Sequence, residues 1–203
     1  MNLLSLLTFL GLLLIAMSFH EFAHGWIAFK LGDNTAKSMG RLTLNPLAHL
    51  DPFGSVILPL LCFVVTQGQA IFGAAKPVPI NYLALKNPKK DVIWIGLSGP
   101  TANFLFAIAA RVLLSFANTS SILASILTIF IFINLLLAVF NLIPIPPLDG
   151  SRVVMGLLPR ELASGYSRIE PYGIFIVILL VPVLFSSFVL PVVYLIMKNI
   201  LGI

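Results

Sequence analysis

The stretch 12-LLLIAMSFHEFAHGW-26 decides how the rest of the chain is read. A run of leucine, isoleucine and alanine leads without a break into His20, Glu21 and His24. Ionisable groups sit where the chain otherwise looks ready to enter lipid. Even on the lenient insertion scale a charged residue at a helix centre there costs on the order of 2.5–3.5 kcal/mol. Such groups need a reason to be placed there.

The surroundings confirm the setting. Of 203 residues, 59% are hydrophobic and 9% charged, and the mean hydropathy is +1.07. Soluble domains carry about 25% charged residues, so the composition predicts an integral membrane protein of one membrane domain. Cys62 is alone, which excludes a disulfide framework and a thiolate metal cluster. The net charge of +5 could suggest nucleic acid. The basic residues fall in short loops between apolar runs, however, where the positive-inside rule accounts for them. Residues 3–19 lack a preceding Lys or Arg and a small-x-small cleavage site, so the segment is expected to be a retained helix rather than a signal peptide.

Working outward, the first apolar segment runs from about Leu3 to Phe29. A loop rich in turn signals follows, with a short strand expected at Arg41–Leu44. Residues 55–66, about a dozen with Pro59 inside, are short for a span and read as a re-entrant or interfacial segment. Spans are expected at Val92–Phe116 and Ile122–Ile143, then a polar loop over 144–170. The last apolar stretch, 172–203, reads as a span to about Ser186 followed by an interfacial piece. The fold class is therefore all-α and polytopic, a single membrane-embedded domain over 1–203 with a core of 3–152 and a C-terminal helical segment, 171–203. If 55–66 is re-entrant, the basic loops 30–52, 76–91 and 149–170 share one face, the cytoplasmic one.

The chemistry lies in HEFAH. Residues four apart stack on one helix face, so His20 and His24 can reach one metal ion. Glu21 is one step round, beside a metal-bound water rather than a third ligand. H-E-x-x-H is the pattern of zinc proteases, with two imidazole ligands and a glutamate as general base. The bland alternative is two histidines and a glutamate satisfied by helix neighbours. The cost of placing them in lipid argues against it.

A catalytic zinc wants a third protein ligand. The metzincin spacing would need a His at position 30, which is Lys30. His49 and the acids remain. Asp149 stands out in 141-NLIPIPPLDGSR-152, where prolines 144, 146 and 147 break the helix and Gly150 permits a tight turn. Broken backbone at membrane depth belongs where it lines a cavity. A capping aspartate is the plain alternative.

On these residues the chain resembles the site-2 protease family of intramembrane zinc metalloproteases, in a compact form without a PDZ or CBS module. HEFAH is similar to the family's first motif, and NLIPIPPLDG to its second. GRLTLNPLAHLDPFG and SGPTANF also resemble stretches of compact bacterial-type members. The resemblance runs from His20 to about Arg152. It implies one Zn2+ per chain on His20, His24 and Asp149, with Glu21 as base. It implies that Asn141 helps hold the substrate strand or the oxyanion. It also implies a three-helix catalytic core of 3–29, 92–116 and 122–143. His49 is either a group contacting substrate near the metal or a loop histidine bonded to a turn. Asp51 and Asn103 lie in matching stretches without an assigned role.

The expected function is zinc-dependent hydrolysis of a peptide bond in a substrate's transmembrane helix, in a multi-pass protein of a bacterial-type plasma membrane. The partners would be that membrane-spanning substrate and the lipid bilayer, without nucleic acid; oligomeric state is not assigned. The alternative is a membrane zinc carrier or zinc-binding protein without proteolytic activity. A carrier should show intramembrane ligands repeated in symmetric halves, and an inactive relative would usually have lost Glu21.

Overall fold

The computed structural model describes residues 3–57, 60, 64, 75–118, 120–199 and 202. Helix α1, Leu3–Lys30, is built from leucine-rich sequence and stops at a glycine. Gly32 takes a positive φ of 115°, its N–H donates to Phe29 C=O at 3.2 Å, and Asp33 N–H reaches back to Ala28 C=O at 2.9 Å. This is a Schellman stop, which uses carbonyls the helix end would leave unpaired. A single turn, α2 (Thr35–Ser38), and a 3-10 turn at Pro46–His49 follow.

Helix α3, Pro88–Leu114, opens with proline at its first position, where the missing N–H costs nothing. Its Gly96, Gly99, Asn103, Ala107 and Ala110 are buried along one face. Small residues at that spacing let neighbouring backbones come close. Helix α4, Ile122–Asn141, is capped by the Ser121 hydroxyl accepting from Ala124 N–H at 3.1 Å. Helices α1, α3 and α4 pack on one another, and α3 is also backed by α5, Asp149–Leu157. The expected three-helix core is thus present. Among the described residues, four helices are long and apolar enough to span a membrane: Leu4–Lys30, Pro88–Leu114, Ile122–Asn141 and Glu170–Asn199.

Three expectations need correction. No strand forms at Arg41–Leu44. Arg41 and Leu42 N–H both turn back to Ala36 C=O, at 2.8 and 3.2 Å, and the facing segment carries Pro77 and Pro79, which have no N–H to offer a ladder. Residues 144–170 are not merely a polar loop. Past the prolines the chain folds into α5 and α6, Arg160–Ser167. The break near Ser186 is likewise absent. Helix α7, Glu170–Leu184, passes through a π-helical turn at Phe185–Val189 into α8, Leu190–Asn199. Leu184 and Leu190 keep right-handed helical backbone on either side. The Ser186 hydroxyl donates to Pro182 C=O at 2.8 Å, an i−4 back-bond to the helix backbone. Val189 and Val193 lie in the main core with Ile131, Leu135 and Val177, so this half packs on the bundle.

Most of 55–66 lies outside the described residues. Among the described residues, Lys76 N–H donates to His49 C=O at 2.9 Å, and Lys86 N–H to Leu31 C=O at 3.3 Å. Residues 49, 76 and 86 therefore lie at the end of the bundle where α1 stops. Helices α5 and α6 lie there too, with Gly156 against the Lys89 carbonyl and Tyr166 O–H donating to Pro144 C=O at 2.7 Å. The loops 30–52, 76–91 and 149–170 thus share an end.

Candidate metal centre

His20 and His24 stand one turn apart on the buried face of α1, and Asp149 opens α5. The latter is delivered by the 142–148 turn, which folds tightly enough that a side chain at Gly150 would strike Leu142 C=O. On the other side Gly96 of α3 gives way to the Asp149 backbone. The result is close convergence. His20 Nε2 and His24 Nε2 are 3.0 Å apart, and Asp149 Oδ2 is 3.0 Å from the first and 3.2 Å from the second.

The outer edges of the rings decide what those inner atoms are. His24 Nδ1 faces the Ile95 C=O at 2.7 Å, so it must carry the proton. His20 Nδ1 faces Asn103 Oδ1 at 2.6 Å. The Asn103 amide cannot be reversed, because its Nδ2 donates to Ala16 C=O at 3.3 Å and to Asn134 Oδ1 at 2.9 Å. Both neutral rings therefore turn an Nε2 lone pair inward, toward a carboxylate oxygen. Asp149 Oδ2 is buried without a hydrogen-bond partner. Three acceptors meet with no proton between them, an arrangement that a cation resolves.

The spacing agrees. Ligands about 2.0–2.1 Å from a tetrahedral ion stand about 3.3 Å apart, against the 3.0–3.2 Å found here. Space for the rings comes from Gly99, where a Cβ would lie 2.6 Å from the His20 ring and closer to His24 Nε2. His20, His24 and Asp149 are thus one group able to hold a metal.

The remaining expected residues have partners of their own. Glu21 shares the helix turn of His20, and its Oε2 accepts from Val78 N–H at 2.7 Å. Asn141 ends α4 with its Nδ2 donating to Leu137 C=O at 3.0 Å. His49 is fully buried, with Nε2 against Thr43 C=O at 2.8 Å. Asp51 caps its own turn, accepting from Gly54 N–H at 2.6 Å. Sequence reading missed Ile95, Gly99, Asn134 and Val78, and left Asn103 without a role. SGPTANF had marked 99 and 103, but contacts across 71 and 83 residues cannot be read from a linear pattern.

Comparison with known proteins fits this geometry. Over 197 residues, 92% of this chain and 86% of the relative, the sequence is 36% identical to the Bacillus subtilis (strain 168) protein described as "Putative zinc metalloprotease YwhC". Residues 116–184, which include Asp149, match the family described as Peptidase family M50. The chain belongs to peptidase family M50. This M50 chain is also 28% identical over 169 residues to "Putative zinc metalloprotease Rip2" of Mycolicibacterium smegmatis, covering 82% of this chain and 63% of that one. A shorter match, 31% over 86 residues, is to "Zinc metalloprotease MJ0392" of Methanocaldococcus jannaschii; it covers 41% of this M50 chain and 25% of the relative. No solved structure matches it.

Proposed function

We propose that this protein cleaves a peptide bond within a transmembrane helix of a substrate protein, with zinc on His20, His24 and Asp149 and water activated by Glu21. Membership of family M50 makes the chain a zinc metalloprotease, and its four long apolar helices make it a multi-pass membrane protein. The observation that carries the finer reading is the set of three inward-facing acceptors at the buried meeting of α1 and α5.

When bound, zinc supplies a Lewis acid for the scissile carbonyl and lowers the pKa of water to about 7. The protein's own groups do the rest. Ile95 and Asn103 keep both Nδ1 protons outward, so each ring presents Nε2. The Glu21 carboxylate takes a proton from the attacking water as its oxygen bonds to the carbonyl carbon. It returns that proton to the amide nitrogen as the C–N bond breaks. Asn141 is given the lesser part of holding the substrate strand, by exchanging its bond to Leu137 for one to substrate. The substrate helix must unwind locally, since a helix engages its own carbonyls.

The setting follows from the same features. Ten of the twelve Lys and Arg residues fall between positions 30 and 168 at the shared loop end, and only Arg111 and Lys198 lie toward the other. That asymmetry points the shared end to the cytoplasm of a bacterial-type plasma membrane. The test is purified protein in liposomes with a model transmembrane substrate. Glu21→Gln should keep near-stoichiometric zinc and cleave nothing; Asp149→Ala should lose both. A Glu21→Gln variant that cleaves at the normal rate would sink the reading, and zinc binding without cleavage by the unaltered protein would favour a carrier.

A further inference from the structure

The segment 76-KPVPIN-81 crosses the C-terminal half of α1 in extended form, and its chemistry is unusual. Prolines 77 and 79 have φ fixed near −65°. Lys76 and Val78 each precede a proline and are biased to extended backbone. Four consecutive residues are therefore stiff before any tertiary contact forms. Over 76–79 only Lys76 and Val78 carry an N–H. The first donates to His49 C=O at 2.9 Å. The second donates to Glu21 Oε2 at 2.7 Å.

The segment is pinned along its length. Arg41 Nη2 donates to both Lys76 C=O and Pro77 C=O, at 2.9 and 3.2 Å. Asn81 N–H donates to the buried Asp33 Oδ2 at 2.7 Å. Val78 is itself buried, packing against Gly25 one turn beyond Glu21. A flap would show few ties and flexible sequence; this segment has the reverse.

We infer that Pro77-Val78-Pro79 is a rigid backbone arm whose one N–H holds the Glu21 carboxylate in position for proton transfer, making Val78 a positioning residue. A glutamate side chain has three rotatable bonds, and beside bare α1 it would sample several rotamers. Holding one oxygen on a fixed donor leaves Oε1 as the oxygen that meets the water. The flanking prolines also ensure that neither neighbour can donate in Val78's place. Misplacement of a reacting group by about 1 Å can cost on the order of 100-fold in rate.

The inference rests on Glu21 acting as base, so the experiment separates the two. Full-length protein in liposomes is prepared with Val78 replaced by its α-hydroxy acid, which turns the N–H into an ester oxygen and keeps the side chain. The expected result is a kcat lower by roughly 10- to 100-fold, with KM and zinc per chain unchanged. Arg41→Lys, which loses the forked grip on Lys76 and Pro77, should give a smaller loss of the same kind. Normal kcat in the ester variant beside an inactive Glu21→Gln overturns the arm and leaves the base assignment standing. An ester variant that loses zinc along with kcat also overturns it, because the arm would then be supporting the metal site. Full activity in Glu21→Gln would instead remove the base assignment.

Discussion

Asn103 Oδ1 lies 2.6 Å from His20 Nδ1, and the other end of the same amide is tied to α1 at Ala16 and to α4 at Asn134. Asn134 Nδ2 in turn donates to Phe130 C=O at 2.8 Å. Both asparagines are fully buried. One side chain thus sets the tautomer of a ring on α1 while joining the three helices of the core.

Replacing Asn103 by Leu should therefore weaken metal binding without touching any inward-facing atom. Loss of such an outer partner typically costs 10–100-fold in affinity. Competition against a chelator of known affinity measures it. Unchanged zinc affinity would show that His20 is oriented by packing alone.

Gly99→Ala should be more damaging than any other small change in α3. The new methyl would sit 2.6 Å from the His20 ring, so the rings must move. Zinc per chain and cleavage should fall together. Gly11→Ala, with nothing within 4 Å of the new atom, should leave both as they were.

Asp33 fastens the loop after α1 to the arm, accepting from Thr35 N–H at 2.8 Å and Asn81 N–H at 2.7 Å. Burial pushes its carboxyl up, but these N–H donors and the Thr35 hydroxyl outweigh it and hold it below the usual range. A folded value below the unfolded one, about 3.9, means that its stabilisation is complete above that pH. It drains away as pH falls through the folded value. Asp33→Asn should lower stability at pH 7 by about 1.5–3 kcal/mol, and the gap to the parent should shrink below about pH 4. Thermal unfolding in detergent at pH 7 and pH 3 compares the two.

Single cysteines at Ser38, Asn87 and Ser164, in a background without Cys62, test the orientation. All three positions are exposed at the shared loop end. In intact cells they should resist an impermeant thiol reagent, and in opened cells they should react. Labelling of all three in intact cells would invert the topology.

The sequence alone determined the membrane setting, the apolar helices and the pairing of His20 with His24 on one helix face. Each rests on composition or on spacing within one helix, where i and i+4 face the same way whatever else the chain does. Asp149 was legible too, because three prolines and a glycine around an acid after an apolar span leave few other uses. Tertiary structure alone decided which ring nitrogens face outward, the closeness of Asp149 to the histidines and the hold on Glu21. Those depend on Ile95, Asn103, Gly99 and Val78, residues ordinary in themselves and distant in the chain. Proline-rich stretches misled in both directions. After Pro144–Pro147 the chain resumes a helix, and at Pro182 and Pro191 it never leaves one, passing through a π-turn between them. Whether a proline ends a helix depends on whether the surrounding bundle can satisfy the carbonyl it strands, and only the packed fold holds that information.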